Sequence, residues 1–204
     1  MFLKSLLLCG VVCSFAAALS AQDAKPEIKL AQVDMKIESQ FTPQIQATNL
    51  VDKRWRPKQW LEVQVDFKAT IARSLGGREG TYPSIDVKYY AALAGIKNKD
   101  GKQVVISGTV TYKDVANGEN HVLAFVSPAS LKRLLQKENG GKGDISLFGC
   151  EITAGGEVIG GKSSSGGKWW EAAADKMALE DVMVSKDKTP FAPFWGDFDL
   201  APNK

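Results

Sequence analysis

The chain has 204 residues with 26 Lys and Arg against 23 Asp and Glu, a net charge of only +3 with the signs interspersed. That balance excludes the basic footprint of a nucleic-acid-binding domain. Beyond the first twenty-odd residues no segment is long and apolar enough to span a membrane as a helix, and a chain of this length can bury roughly 70% of its unfolded surface in one core.

Residues 1–21 read MFLKSLLLCGVVCSFAAALSA. A lone cation, Lys4, precedes an apolar run and small residues, the pattern of a cleavable secretory signal with cleavage after Ser20 or Ala21. Cys9 and Cys13 lie within that run and leave with it, so residues 22–204 keep one cysteine, Cys150, and form no internal disulfide. This predicts an exported protein of the cell envelope or exterior: one domain without disulfides that depends on its core.

In chain order, Ile28 and Leu30 share one alternation phase while Val33, Met35 and Ile37 share the other, which predicts a bulge or a crossing between sheets. Leu61, Val63, Val65, Phe67 and Ala69 alternate with Glu62, Gln64, Asp66 and Lys68, a strand with one face on a core. Ile85, Val87, Tyr89, Ala91 and Leu93 repeat the pattern, as do Val104, Ile106, Gly108, Val110 and Tyr112. The intervening Asp100-Gly101 predicts a hairpin between those two rows. Residues 122–126 and 145–152 are apolar on both faces, as central strands are, and 182–184 is a last candidate strand. One helix is expected near 128–138, opened by Ser127-Pro128 and closed by Asn139-Gly140-Gly141. A second short helix is a candidate at 169–177. Residues 155–167 (GGEVIGGKSSSGG) read as a turn followed by a mobile loop. Short strands with turns between them predict an all-β sandwich.

The chemical motifs are weak. Residues 156–163 match phosphate-loop spacing, but that loop needs a helix directly after it, and Ser164-Ser165-Gly166-Gly167 is a poor start for one. A Ser-His-Asp or Cys-His arrangement would have to use His121, the only histidine, for which no partner is legible. One His and one retained Cys fall short of a zinc ligand set, and Cys150 in ISLFGCEIT reads as a buried hydrophobe. No catalytic residue, cofactor or metal is assigned. Aromatic residues are the remaining candidates for contact with a partner or a glycan. Trp55 and Trp60 bracket the turn WRPKQW; Trp169 and Trp170 are adjacent, so on a strand one of them would face solvent. Exposed rings suit sugar or peptide partners, whereas tryptophans at strand ends commonly seal a core. The tail at 189–200 concentrates Phe191, Phe194, Trp195 and Phe198 around Pro190 and Pro193, so it is no central strand. It either straps across its own sandwich or docks on a partner.

With the signal, the strand series and the stretches SPASLKRLLQK and KDKTPFAPFW in view, the chain resembles the small exported immunoglobulin-like outer-membrane proteins of the type IV pilus-linked gene cluster of Akkermansia and its Verrucomicrobial relatives. The resemblance implies an immunoglobulin-like sandwich, an envelope location, and association with pili or with host mucus. It carries over no functional residues. The leading expectation is a non-enzymatic envelope protein acting through contacts with envelope or pilus proteins. The alternatives are a module that binds carbohydrate, such as host mucin glycans, through exposed tryptophans, and an exported hydrolase.

Overall fold

The computed structural model describes residues 27–44, 55–173 and 178–203. The expected signal at 1–21 lies outside them. Alternating apolar residues create the strands. Ile28–Phe41 (β1) pairs antiparallel with Gln59–Ile71 (β2), and the phase slip expected in β1 is a β-bulge. Gln32 and Val33 together stand opposite Phe67, with Gln32 at φ +54°, and the extra residue returns Met35 and Ile37 to the core.

Thr81–Lys97 (β3) and Gln103–Ala116 (β4) form the expected hairpin. In its turn the Asn98 side chain accepts from the backbone N–H groups of Asp100 (3.0 Å) and Lys102 (2.8 Å), and Gly101 takes φ +74°. Gly118–Val126 (β5), Ile145–Ala154 (β6), Glu157–Ser163 (β7), Ala178–Leu179 (β8) and Met183–Ser185 (β9) complete the strands. One sheet runs β1-β2-β5-β9 and the other β7-β6-β3-β4-β8, antiparallel throughout except for the short parallel pairing of β8 on β4. Taking β1 to β7 as the seven strands of an immunoglobulin sandwich, the order is that fold's, with the fourth strand joined to the second sheet.

Two expectations need correcting. The helix, Pro128–Leu135 (α1), opens as expected: Ser127 Oγ accepts from Ser130 N at 3.0 Å and Pro128 fills the first turn. It stops three residues short of 138, because Gln136 turns left-handed at φ +52°. The glycine-rich run is not a loop throughout. Gly155 and Gly156, at φ +58° and +87°, make a two-residue turn of the kind that joins twisted strands, and β7 then pairs with β6. Backbone hydrogen bonds place Gly160 and Gly161 in the ladder, so the phosphate-loop spacing falls on an extended strand.

The inward faces of both sheets build one core that includes Val63, Val65, Ile85, Val87, Ile106 and Ile152. At its centre two fully buried tyrosines form a chain. Tyr112 donates to the Leu123 carbonyl at 2.8 Å, and the Tyr89 and Tyr112 hydroxyls are 2.8 Å apart, so both are satisfied.

The described residues from 178 onward wrap this sandwich. β8 lies on β4 at Val105 and Ile106, Val182 N donates to Ser107 O (3.0 Å), and β9 pairs with β5 at Ala124 to Val126. Further on, Leu200 N donates to His121 O (2.9 Å), Lys113 N to Ala201 O (3.1 Å) and Asn203 N to Thr111 O (2.7 Å). The edges of β4 and β5 are thereby capped, one in each sheet. Between β9 and Leu200 the chain crosses the outer face of the first sheet, where Phe191 stacks on Phe125 (centroids 4.9 Å, planes 10° apart) and meets Trp60 edge-on (5.9 Å, 89°). The tail packs along its own sandwich here. Phe191 is only 3% exposed, so Phe191→Ala is expected to cost about 3–5 kcal/mol of stability, read as a lower urea midpoint with the slope unchanged.

Candidate functional site

The aromatic candidates collect on the two outer faces of the sandwich. On the second sheet, Trp169–Ala173 is a short helix (α2), the described part of the helix expected at 169–177; residues 174–177 lie outside the described ones. Trp169 and Trp170 therefore stand on a helix and not on a strand, and both rings pack on neighbouring side chains. Trp170 lies flat on Tyr90 (4.9 Å, 9°) and against Gly149, where a Cβ would come within 2.2 Å of the indole. Trp169 meets Trp170 edge-on and packs with Ala92, Val105 and Leu147.

Beneath them Glu151 accepts from the Tyr90 hydroxyl (2.9 Å) and from Lys168 (2.7 Å). Burial would raise the Glu151 carboxyl, but these two donors outweigh it and hold it below the usual range. Burial and the bond to Glu151 push the Tyr90 hydroxyl well up, so it stays a donor. A cleft of about 330 Å³ opens between this cluster and β7, walled by Glu151, Val158, Lys162, Lys168 and Trp170. Its lysines are engaged, Lys162 with Asp34 at 3.4 Å and Lys168 with Glu151 and Glu171.

On the first sheet the strap brings together Trp60, Phe191, Phe194, Trp195 and Phe198. Trp60 donates its indole N–H to Thr42 Oγ1 (3.1 Å) and seals the rim of the face. Trp195 stacks on Phe191 (5.8 Å, 13°), Phe194 leans on Trp195, and Phe198 stacks on the His121 ring (4.2 Å, 10°). His121 Nδ1 bonds Asp66 Oδ1 at 2.6 Å, so the histidine anchors the strap between a carboxylate and a phenyl ring. Trp195 and Phe198 remain 41% and 45% exposed. Trp55, at the approach to β2, is 48% exposed and joins neither cluster.

Sequence reasoning missed the latch of this strap. Lys186 and Asp199 form a buried ion pair, their side chains 8% and 1% exposed, and Lys186 Nζ also donates to the carbonyls of Phe194 (2.7 Å) and Trp195 (3.4 Å). Nothing in the hydrophilic run SKDK marks Lys186 as buried. Glu62 was also missed. It is 6% exposed on the outer face of β2, and its Oε2 has no hydrogen-bond partner. The Cys150 thiol, raised by burial to about 11, is a fully buried core side chain. Among the described residues no group of His, Cys, Asp and Glu is placed to hold a metal ion, and no helix is long and apolar enough to cross a membrane.

Fold and site together define an immunoglobulin-type β-sandwich that spends most of its surface aromatics on its own packing. A protein-family model matches residues 21–204, and the chain belongs to the family it describes. A crystal structure of a protein from Akkermansia muciniphila superposes with a TM-score of 0.71 at 22% identity, covering 89% of this chain and 97% of that one, which establishes the shared fold. No curated protein matches.

Glu62 gives this face a pH dependence. Burial raises its carboxyl above the ordinary value, with Lys36 and a bond from Gln40 only partly opposing it. The folded protein therefore binds this proton more tightly than the unfolded chain does, and the stability linked to it is present at low pH and lost as pH rises through the raised value. Glu62→Gln should raise Tm at pH 7, by the equivalent of about 1 kcal/mol, and the advantage should shrink as the pH falls towards 4 in paired thermal melts.

Proposed function

We propose that this protein is a non-enzymatic component of the bacterial cell envelope that works by holding a protein partner, with pilus or other envelope proteins as the expected class. The signal-like N-terminus, the resemblance of KDKTPFAPFW and SPASLKRLLQK to pilus-linked envelope proteins, and the fold shared with the Akkermansia muciniphila protein support this reading. Of the tryptophans offered as glycan platforms, Trp60, Trp169 and Trp170 pack against neighbouring side chains.

The observation that carries the proposal is an asymmetry of strand edges. The C-terminal segment caps β4 and β5, but among the described residues no strand pairs with the outer edge of β1 or β7. Those two edges lie side by side. A Cβ on Gly160 of β7 would lie 3.2 Å from Leu30 of β1, and Lys162 of β7 pairs with Asp34 of β1. Open edges recruit other strands unless they are blocked, and here one seam is blocked while the other is left open. An extended segment of a partner would add to it through backbone hydrogen bonds, with Val158, 55% exposed on β7, offering an apolar contact.

Cross-linking on intact source cells, followed by capture of this protein, tests the reading. Pilin or envelope proteins are expected among the cross-linked species. Val158→Lys, which places a charge on the open edge without entering the core, should reduce their yield severalfold while leaving Tm unchanged. Recovery of the protein with no protein partner contradicts the proposal, and equal capture by the Val158→Lys variant contradicts this edge as the docking site.

A further inference from the structure

Trp195 is costly where it stands. It takes φ +57°, a left-handed conformation in which a bulky side chain is strained by about 1–3 kcal/mol. It also leaves 41% of a large apolar side chain in water. Core sealing does not require this, because Phe191 beneath it is already held by Phe125 and Trp60. Even so, the strap fixes the residue firmly. Phe125, Phe191 and Trp195 stack in near-parallel succession, with 10° and 13° between successive planes. The buried Lys186, paired with Asp199, grips the carbonyls of Phe194 and Trp195. The turn then closes by bonds from Phe198 N (3.0 Å) and Asp199 N (3.3 Å) to Trp195 O. The indole is thus stacked on Phe191 and tilted against Phe194 while 41% of the side chain stays exposed, and Phe198, 45% exposed, is the next exposed ring along the same strap.

Size and charge select the occupant. The exposed parts of Trp195 and Phe198 amount to roughly 200 Å² of ring surface, taking the usual areas of such side chains. That is far below the roughly 800 Å² each partner buries in a stable protein interface, but it matches one or two sugar rings. The exposed charges of the strap segment carry both signs (Asp187, Lys188, Asp197), and on the sheet the exposed Lys36 lies 4.0 Å from the half-buried Asp66, so no patch of one sign forms. That favours an uncharged ligand over an acidic or basic one. We infer that Trp195, extended by Phe198, is a stacking platform for the pyranose rings of a neutral oligosaccharide. This site is separate from the β1/β7 edge proposed for a protein partner, and it lies in the aromatic tail that the sequence offered as a contact for a partner or a glycan. A pre-stacked ring loses little freedom on binding, which is how so small a surface retains useful affinity.

The test is titration of the full chain with lactose, cellotetraose and chitotetraose, followed by intrinsic tryptophan fluorescence and calorimetry. At least one sugar is expected to give a saturable response. Trp195→Asn, a residue that tolerates the left-handed turn, should weaken that binding about tenfold or more with the fold kept by circular dichroism, and Trp195→Phe should retain most of it. Trp55→Phe should leave affinity unchanged. Three outcomes overturn the inference: no saturable response to any of the three sugars, equal affinity in the Trp195→Asn variant, or a loss that follows Trp55. Trp195→Asn abolishing capture of a protein partner while no sugar binds would overturn it in favour of a protein contact.

Discussion

The outer face of the first sheet cannot stand alone. Val122, Ala124 and Val126 already fill the core from β5, yet the opposite face of the same strand carries Leu123 and Phe125, which would be exposed on a bare sandwich. Phe191 covers them, and the crossing that puts it there depends on the Lys186–Asp199 pair at the far side of the aromatic turn. A buried ion pair is a poor source of net stability compared with apolar packing, but losing one partner strands the other charge. Lys186 compensates by also donating to two backbone carbonyls, so the pair fixes one path for the chain and penalises the others.

Once that path is fixed, the rest of the surface follows. The strap leads Leu200 to Asn203 along the seam between the sheets, where their backbone bonds join the edge of β5 to that of β4. Closure at this seam leaves the β1/β7 seam as the open one, and the bulge at Gln32 and Val33 turns β1 there towards Gly160 of β7. The second outer face is settled independently by Trp170 lying on Tyr90 and Gly149, with Glu151 held ionised between Tyr90 and Lys168. Among the described residues, the exposed large hydrophobic side chains are Trp195 and Phe198 on the strap, Val158 on the open edge, and Phe41 and Trp55 on the two sides of the segment joining β1 and β2.

Period-two patterning made most of the sandwich legible. β2, β3 and β4 follow their alternating rows, the Asp100-Gly101 turn stands where expected, and the phase slip between Leu30 and Val33 marks a real bulge. β7 was not legible, because its glycines leave no side-chain alternation to read; only a turn at its start was legible, which Gly155 and Gly156 make. The helix end was misplaced because Gln136 adopts the left-handed conformation normally left to Gly or Asn. Among the site residues, the aromatic tail was visible as composition, but its partition was not. Phe191 is buried and Trp195 exposed because one turn separates them. Lys186 and Glu62 gave no sign of burial: Lys186 is enclosed by the turn that follows it in the same segment, and Glu62 lies in an alternating row whose polar members read as exposed.

Native-state hydrogen exchange resolved by residue tests the central claim, that the C-terminal strap is part of the folded sandwich and closes one seam only. The account predicts that the amides of Val182, Leu200 and Asn203, with that of Lys113 on β4, exchange only as slowly as the core of the sheets. The outward amides of β7 should exchange orders of magnitude faster in the isolated protein. Rapid exchange at Leu200 and Asn203 while the core stays protected would contradict it, because the strap would then be a detachable tail and the asymmetry of the edges would disappear.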